Sequence, residues 1–286
     1  MSEKMKDLGV RTASGLILGI VMLGAIYWSI WSFGALLVVL VAVGMSEFYA
    51  LTEKQGLTPQ RLIGTITGLV LLALNFYFAY CIAYEQGLVV LGDNPWLERG
   101  LAFLLLLLPL MLVCELFRRR EHPAADVGVT LLGVVYVALP LSLMSFIPVA
   151  GGAGWQPGAM IAYVFIIWAN DVFAYLVGMT LGRHRLCERL SPKKSWEGFF
   201  GGLLGAVAMG LLAARLLGAD YLAWAGLALV AAVMGVLGDL AESMFKRAAG
   251  VKDSGRLIPG HGGVLDRFDA MLLSAPFVLV YMLIVM

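Results

Sequence analysis

Apolar runs of about twenty residues recur from near the N-terminus to the last residue, Met286, the length of helix that a hydrocarbon core about 30 Å thick requires. A soluble domain interleaves buried and wetted positions over such distances, so these runs restrict the chain to an integral membrane protein. Only 14% of its residues are charged, where soluble domains carry about a quarter. The mean hydropathy of +0.90 agrees. A barrel would show short alternating strands instead of unbroken runs. The expected fold class is an all-α polytopic membrane protein.

Hydropathy predicts nine transmembrane helices, at about 13–31, 33–51, 62–83, 100–117, 127–148, 160–181, 199–217, 221–238 and 270–286. Lys and Arg alternate between the connecting segments as a correct parse requires. One set of segments holds Lys4, Lys6, Arg11, Lys54, Arg61, Arg118 to Arg120, Arg183, Arg185, Arg189, Lys193, Lys194, Lys246, Arg247, Lys252, Arg256 and Arg267, and the opposite set only Arg99 and Arg215. The positive-inside rule then predicts a cytoplasmic N-terminus and an external C-terminus. The polar stretches are too short to bury a core of their own. Residues 1–286 therefore read as one integral membrane domain, with a hydrophobic half at 1–150 and a half at 151–286 carrying cytoplasm-facing polar clusters. Lys4, Lys6 and Arg11 before the first run imitate a signal peptide, but no small-residue cleavage site follows, which predicts a retained first helix. Cys81, Cys114 and Cys187 lack metal-ligand spacing and read as small hydrophobes.

Three polar clusters interrupt the second half. In "WANDVFAYLVG", Asp171, Tyr175 and Gly178 share one helical face. A carboxylate in the middle of a span costs about 3 kcal/mol unless paired or wetted, so Asp171 either bonds a neighbouring helix or lines a cavity. The segment "GRHRLCERLSPKKSWEG" mixes Lys193 and Lys194 with Ser191, Ser195 and Glu197. It fits a topogenic loop against anionic headgroups, or a ligand-binding loop.

The third cluster runs from "GDLAESMFKR" to "LDRFD". If the eighth helix continues beyond the membrane surface, Asp239, Ser243, Lys246 and Arg247 fall on one face. A glycine-rich loop follows, then Asp266 and Asp269 at the start of the last helix, where carboxylates suit the dipole. Dipole and capping do not account for Asp239, Asp253, Asp266 and Asp269 gathering together, because clustered carboxylates repel unless cations intervene. Oxygen-rich sets of this kind suit Mg²⁺, and surplus Lys and Arg around them suit a polyphosphate. His261 has no second histidine at ligand spacing, which favours orientation or phosphate contact over metal ligation. Together the clusters describe a nucleotide-using membrane enzyme.

Ser243-x-Phe245-Lys246-Arg247, then Lys252-Asp253-x-Gly255, then Ile258-Pro259 and His261-Gly262-Gly263-Val264-x-Asp266-Arg267-Phe268-Asp269, closely resembles the signature of the phosphatidate cytidylyltransferases. "SPKKSWEG" is similar to that family's second block, with Ser195 where many members have Thr. The motifs cover the C-terminal part; the first half matches only in hydropathy and in the "SEFYAL" ending of the second span. The resemblance implies the reaction of CTP with phosphatidate to give CDP-diacylglycerol and pyrophosphate. It further implies Mg²⁺ held by Asp239 and Asp266, room for a second, monovalent cation such as K⁺, and a homodimer in the cytoplasmic (inner) membrane. Catalysis is expected of Asp239, Lys246, Arg247, Lys252, Asp266 and Asp269. Substrate contacts are expected of Asp171, Ser191, Lys193, Lys194, Ser195, Glu197, Ser243, His261, Gly262, Gly263 and Arg267. Membrane lipids are the other partners, and nucleic acid is not one. A CTP-dependent lipid kinase of the polyprenol type would share helices, CTP and Mg²⁺ but not the HGGxxDRxD block. A transporter would concentrate its polar groups near the bilayer midplane instead of at one surface.

Overall fold

The computed structural model describes residues 3–84, 94–151, 154–255, 257 and 262–286, with side chains from Ser14 onward. Its spans are α1 (Glu3–Trp28), α2 (Ile30–Glu53), α3 (Arg61–Tyr84), α4 (Pro95–Arg118), an interrupted fifth span over Pro123–Val149, α7 (Pro157–Leu181), α8 (Trp196–Leu217), α9 (Tyr221–Ala248) and α10 (Leu265–Val285). Eight of them are long and apolar enough to cross a membrane. In α1 the apolar stretch Ser14–Trp28 is shorter.

Caps place the sharp reversals. Ser29 alone separates α1 from α2; its hydroxyl accepts from Ser32 N at 3.1 Å while Ser32 Oγ accepts from Ser29 N at 3.0 Å, a reciprocal cap that starts α2 at once. Gly218, at φ +65°, ends α8, and Asp220 accepts from Ala223 N at 2.7 Å to begin α9.

Three departures from the expected parse carry consequences. The fifth span is not one α-helix: α5 (Pro123–Gly133) passes into a π-helical turn, Val134–Ala138, then α6 (Leu139–Leu143) and a 3₁₀ turn, Met144–Val149. Pro140 brings no N–H for the carbonyl four residues back, and Pro148 repeats the defect, so regular bonding cannot run through either point. The segment between α7 and α8 is a small antiparallel hairpin, β1 (Arg185–Cys187) with β2 (Ser191–Ser195), where no sheet was expected. Lastly, α9 runs to Ala248 and α10 starts at Leu265, so both carry helical geometry beyond their apolar runs, as the spacing of Asp239, Ser243 and Lys246 anticipates.

Helices α7 to α10 pack closely. On α8, Gly201 faces Val177 and Gly205 faces the Phe173 ring of α7; a Cβ on Gly201 would sit 2.5 Å from Val177 Cγ2. Small residues at such a seam let two helix backbones approach, which is how membrane helices gain contact without a hydrophobic drive between them. The Tyr163 and Ser274 hydroxyls meet at 2.6 Å and tie α7 to α10. One cluster of buried side chains extends from Met22 on α1 to Met282 on α10. Outward-facing Leu106, Leu116, Leu204 and Leu216 give the exterior its apolar surface.

Candidate active site

The site forms where the C-terminal end of α9 crosses the first turns of α10. Gly238 makes the crossing close, since a Cβ there would run into the Asp269 carbonyl. Asp239 and Glu242, one turn apart on α9, then face Asp269 of α10, and carboxylate oxygens of all three lie within 4.8 Å of one another.

Lys246, one turn further along α9, reaches Glu242 Oε2 at 2.5 Å and Asp266 Oδ1 at 2.7 Å. Both carboxylates are almost fully buried, with 1% and 6% of their side chains exposed, so this ammonium supplies charge where water does not. Asp266 Oδ2 accepts from Ser254 N at 2.9 Å, Ser254 Oγ at 2.9 Å and Gly263 N at 2.8 Å. Gly262 sits at φ +82° with its absent Cβ pointing at that same oxygen. Here glycine is required twice, for the left-handed backbone and for the approach. Asp239 accepts from Ser243 Oγ at 3.3 Å and forms an ion pair with Lys194 of β2, which brings the hairpin onto α9.

Two cavities meet at these residues. A polar one of about 360 Å³ is lined by Asp171, Asp239, Ser243, Lys246, Arg247, Lys252, Asp253, Asp266, Arg267 and Asp269. A mixed one of about 380 Å³ lies between α7, the hairpin and α8, and includes Asp171, Tyr175, Gly178, Lys193, Lys194, Ser195 and Asp239. Asp171 and Asp239 border both.

Not every expected residue reaches a cavity. Glu197 accepts from Arg183 N at 3.1 Å and from His184 N and Nδ1, closing the hairpin against the start of α8. Ser191 pairs with Cys187 in the strand register. Ser195 lines the mixed cavity but also caps α8, accepting from Gly198 N at 3.1 Å. His261 lies outside the described residues.

Two carboxylates absent from the expected set belong here. Glu242 follows Asp239 by three residues, a spacing that shares a helix face as well as the i, i+4, i+7 series does. Its Oε1 is buried without a hydrogen-bond partner among the described residues. Glu47, on α2, accepts from Val264 N and Leu265 N. A carboxylate within an apolar span is itself a signal, and "SEFYAL" displays one.

Comparison with known proteins identifies the family. The family described as the cytidylyltransferase family matches residues 9–285. Phosphatidate cytidylyltransferase of Brucella abortus biovar 1 (strain 9-941) is 35% identical over 277 residues, covering 95% of this chain and 92% of that protein. The protein of the same name in a Synechocystis species is 32% identical over 287 residues, covering 90% of each chain. The one in Staphylococcus aureus (strain COL) is 45% identical over 119 residues, 41% of this chain and 46% of that protein. Since the match runs through nearly the whole polypeptide, its first half as well as the motif-bearing second half, the chain belongs to the cytidylyltransferase family.

Proposed function

We propose that this protein transfers the cytidylyl group of CTP to phosphatidate, giving CDP-diacylglycerol and pyrophosphate, at the cytoplasmic face of the inner membrane. The observation that carries the reading is the juxtaposition, at the α9–α10 crossing, of three carboxylates with a rim of cations around one polar cavity. Lys246, Arg247, Lys252 and Arg267 suit a triphosphate. The mixed cavity borders Tyr175 and Met179, both exposed side chains of a spanning helix, and suits a phosphate headgroup whose acyl chains stay in lipid.

The residues present fit Mg²⁺. Asp239, Glu242 and Asp269 supply clustered hard oxygen donors, and Glu242 Oε1 is an acceptor without a donor among the described residues. These three would hold the ion, with Asp266 beside them tied to Lys246 and to backbone N–H groups. When bound, Mg²⁺ supplies positive charge against the triphosphate and the departing pyrophosphate.

The nucleophile is a phosphate monoester with a second pKa of about 6, largely dianionic in the cytosol, so no general base is needed. Its oxygen attacks the α-phosphorus of CTP, a new P–O bond forms, and the bond to the bridging oxygen of the β-phosphate breaks. Repulsion between two anions is the barrier that the chain addresses. Lys193 and Lys194 on the hairpin, Lys246 and Arg247 in the last turn of α9 and Lys252 in the loop after it bring neutralising charge to the two cavities, and Asp171 stands where the cavities join. A homodimer, and a second, monovalent cation such as K⁺, are part of the same proposal and rest on the motif resemblance.

Purified protein incubated with phosphatidate, Mg²⁺ and labelled CTP should yield a CDP-lipid and pyrophosphate. Formation of CDP and a phosphorylated lipid alcohol would replace this reading with a lipid kinase.

A further inference from the structure

Helix α10 begins without a cap of its own. Val264 occupies the capping position and its side chain makes no cap bond, yet the first turn carries Asp266, with Asp269 just after it. Glu47 supplies the missing acceptors from α2. Its Oε1 accepts from Val264 N at 3.0 Å and its Oε2 from Leu265 N at 2.9 Å, across a sequence separation of more than 200 residues. The Ser254 hydroxyl lies 3.4 Å from Oε2 and 2.9 Å from Asp266 Oδ2, so one side chain stands between the two carboxylates.

The glycine-rich loop is built around this carboxylate. A Cβ on Gly263 would lie 2.5 Å from Glu47 Oε2, and one on Gly255 would collide with Oε1. Glu47 is 9% exposed, and its recorded partners among the described residues are neutral donors with no cation. A buried carboxylate held by backbone N–H groups at a helix start is stable there because those groups and the dipole favour negative charge. It is also rigid, since both oxygens are engaged.

We propose that Glu47 is a positioning residue for the reaction: an external cap that fixes the first turn of α10 and, through Ser254 and Gly263, the orientation of Asp266 and the Lys246 ammonium bonded to it. This rests on the reading of the α9–α10 crossing as the active site. A side chain that merely filled space would leave turnover per folded molecule unchanged when replaced by one of equal size. One that aims Asp266 would not, because Gln presents an NH₂ group to N–H donors where Glu47 presents an acceptor.

The test compares Glu47→Gln, Glu47→Asp and Asp239→Asn with the parent protein in detergent, scoring kcat per folded molecule, KM for CTP and phosphatidate, and amide hydrogen exchange. Glu47→Gln should lose about 10- to 100-fold in kcat with little change in either KM, the size seen when a supporting hydrogen bond behind a functional carboxylate is removed. Peptides covering 262–268 should exchange faster while those of α8 do not. Glu47→Asp, which keeps the charge at shorter reach, should fall between, and carries the same comparison if Glu47→Gln gives no folded protein. Parental kcat in folded Glu47→Gln beside an inactive Asp239→Asn would overturn the role of Glu47 alone. A loss confined to the yield of folded protein, or a fall in kcat without faster exchange, would overturn it as well. Parental activity in Asp239→Asn would instead overturn the site, and the proposal with it.

Discussion

Two lysines pair with carboxylates at the site, and burial separates what each does. Lys246 lies between Glu242 and Asp266, all three side chains at least 89% buried, whereas the Lys194 and Asp239 side chains remain 26% and 35% exposed. Removing the cation from a buried set leaves uncompensated charge and costs about 3–5 kcal/mol, while a partly exposed pair contributes about 0–1 kcal/mol. Lys246→Met should therefore lower the thermal unfolding temperature in detergent and abolish turnover together. Lys194→Met should leave unfolding nearly unchanged and cut turnover by about 10²-fold, because the charge it removes faces developing charge in the reaction. Unfolding curves and kcat on the same preparations separate the two; equal thermal losses would contradict the division. Lys246, Asp239 and Asp266 were legible in the sequence because helical spacing puts the first two on one face and the loop returns the third. Glu242 was obscured because the expected face was traced through Asp239, Ser243 and Lys246, passing over the residue three beyond Asp239. Glu47 was obscured more deeply, since no local spacing reports that α2 caps α10.

The helices themselves were legible because hydrocarbon thickness sets their length, a constraint that acts on composition alone. Their interruptions were not. A π-helical turn over Val134–Ala138 and a hairpin over Arg185–Ser195 leave the apolar pattern unchanged, so hydropathy registers neither. How α7 meets α8 depends on glycines whose purpose only the packing reveals. Gly201 and Gly205 let Val177 and Phe173 sit against the α8 backbone, and Gly202 does the same for Asn170, next to the Asp171 that borders both cavities. Gly201→Ala and Gly205→Ala should each destabilise by about 1–3 kcal/mol through overpacking. Gly128, on α5, has open space where its Cβ would be, and Gly128→Ala should instead gain about 0.5–1 kcal/mol from helix propensity. Opposite signs of shift in unfolding temperature for the two kinds of glycine check this; matching signs would mean that the α7–α8 seam is looser than described.

At the scale of the whole molecule, charge and chemistry share one end of the bundle. The hairpin between α7 and α8 and the loop between α9 and α10 both bring basic residues to the cavities, and both belong to the connecting segments that hold eighteen of the 20 Lys and Arg residues. On the proposed reading, the positive-inside rule puts that end in the cytoplasm, where CTP is present, and an aqueous face of either kind removes the cost of burying charge in lipid. The same proposal has a cytoplasmic N-terminus and nine crossings, with α1 the first, which would carry the C-terminus to the other side. Glu188 on the hairpin and Met286 at the C-terminus, both exposed, report on opposite ends. In a variant with Cys81, Cys114 and Cys187 replaced, Glu188→Cys should react with an impermeant maleimide only after the cells are opened, and Met286→Cys should react in intact spheroplasts. Labelling of Glu188→Cys from outside would invert the topology and deprive the cavities of cytosolic CTP. Labelling of both positions from one side would mean that the chain crosses the bilayer an even number of times between them, which the three helices α8, α9 and α10 do not permit.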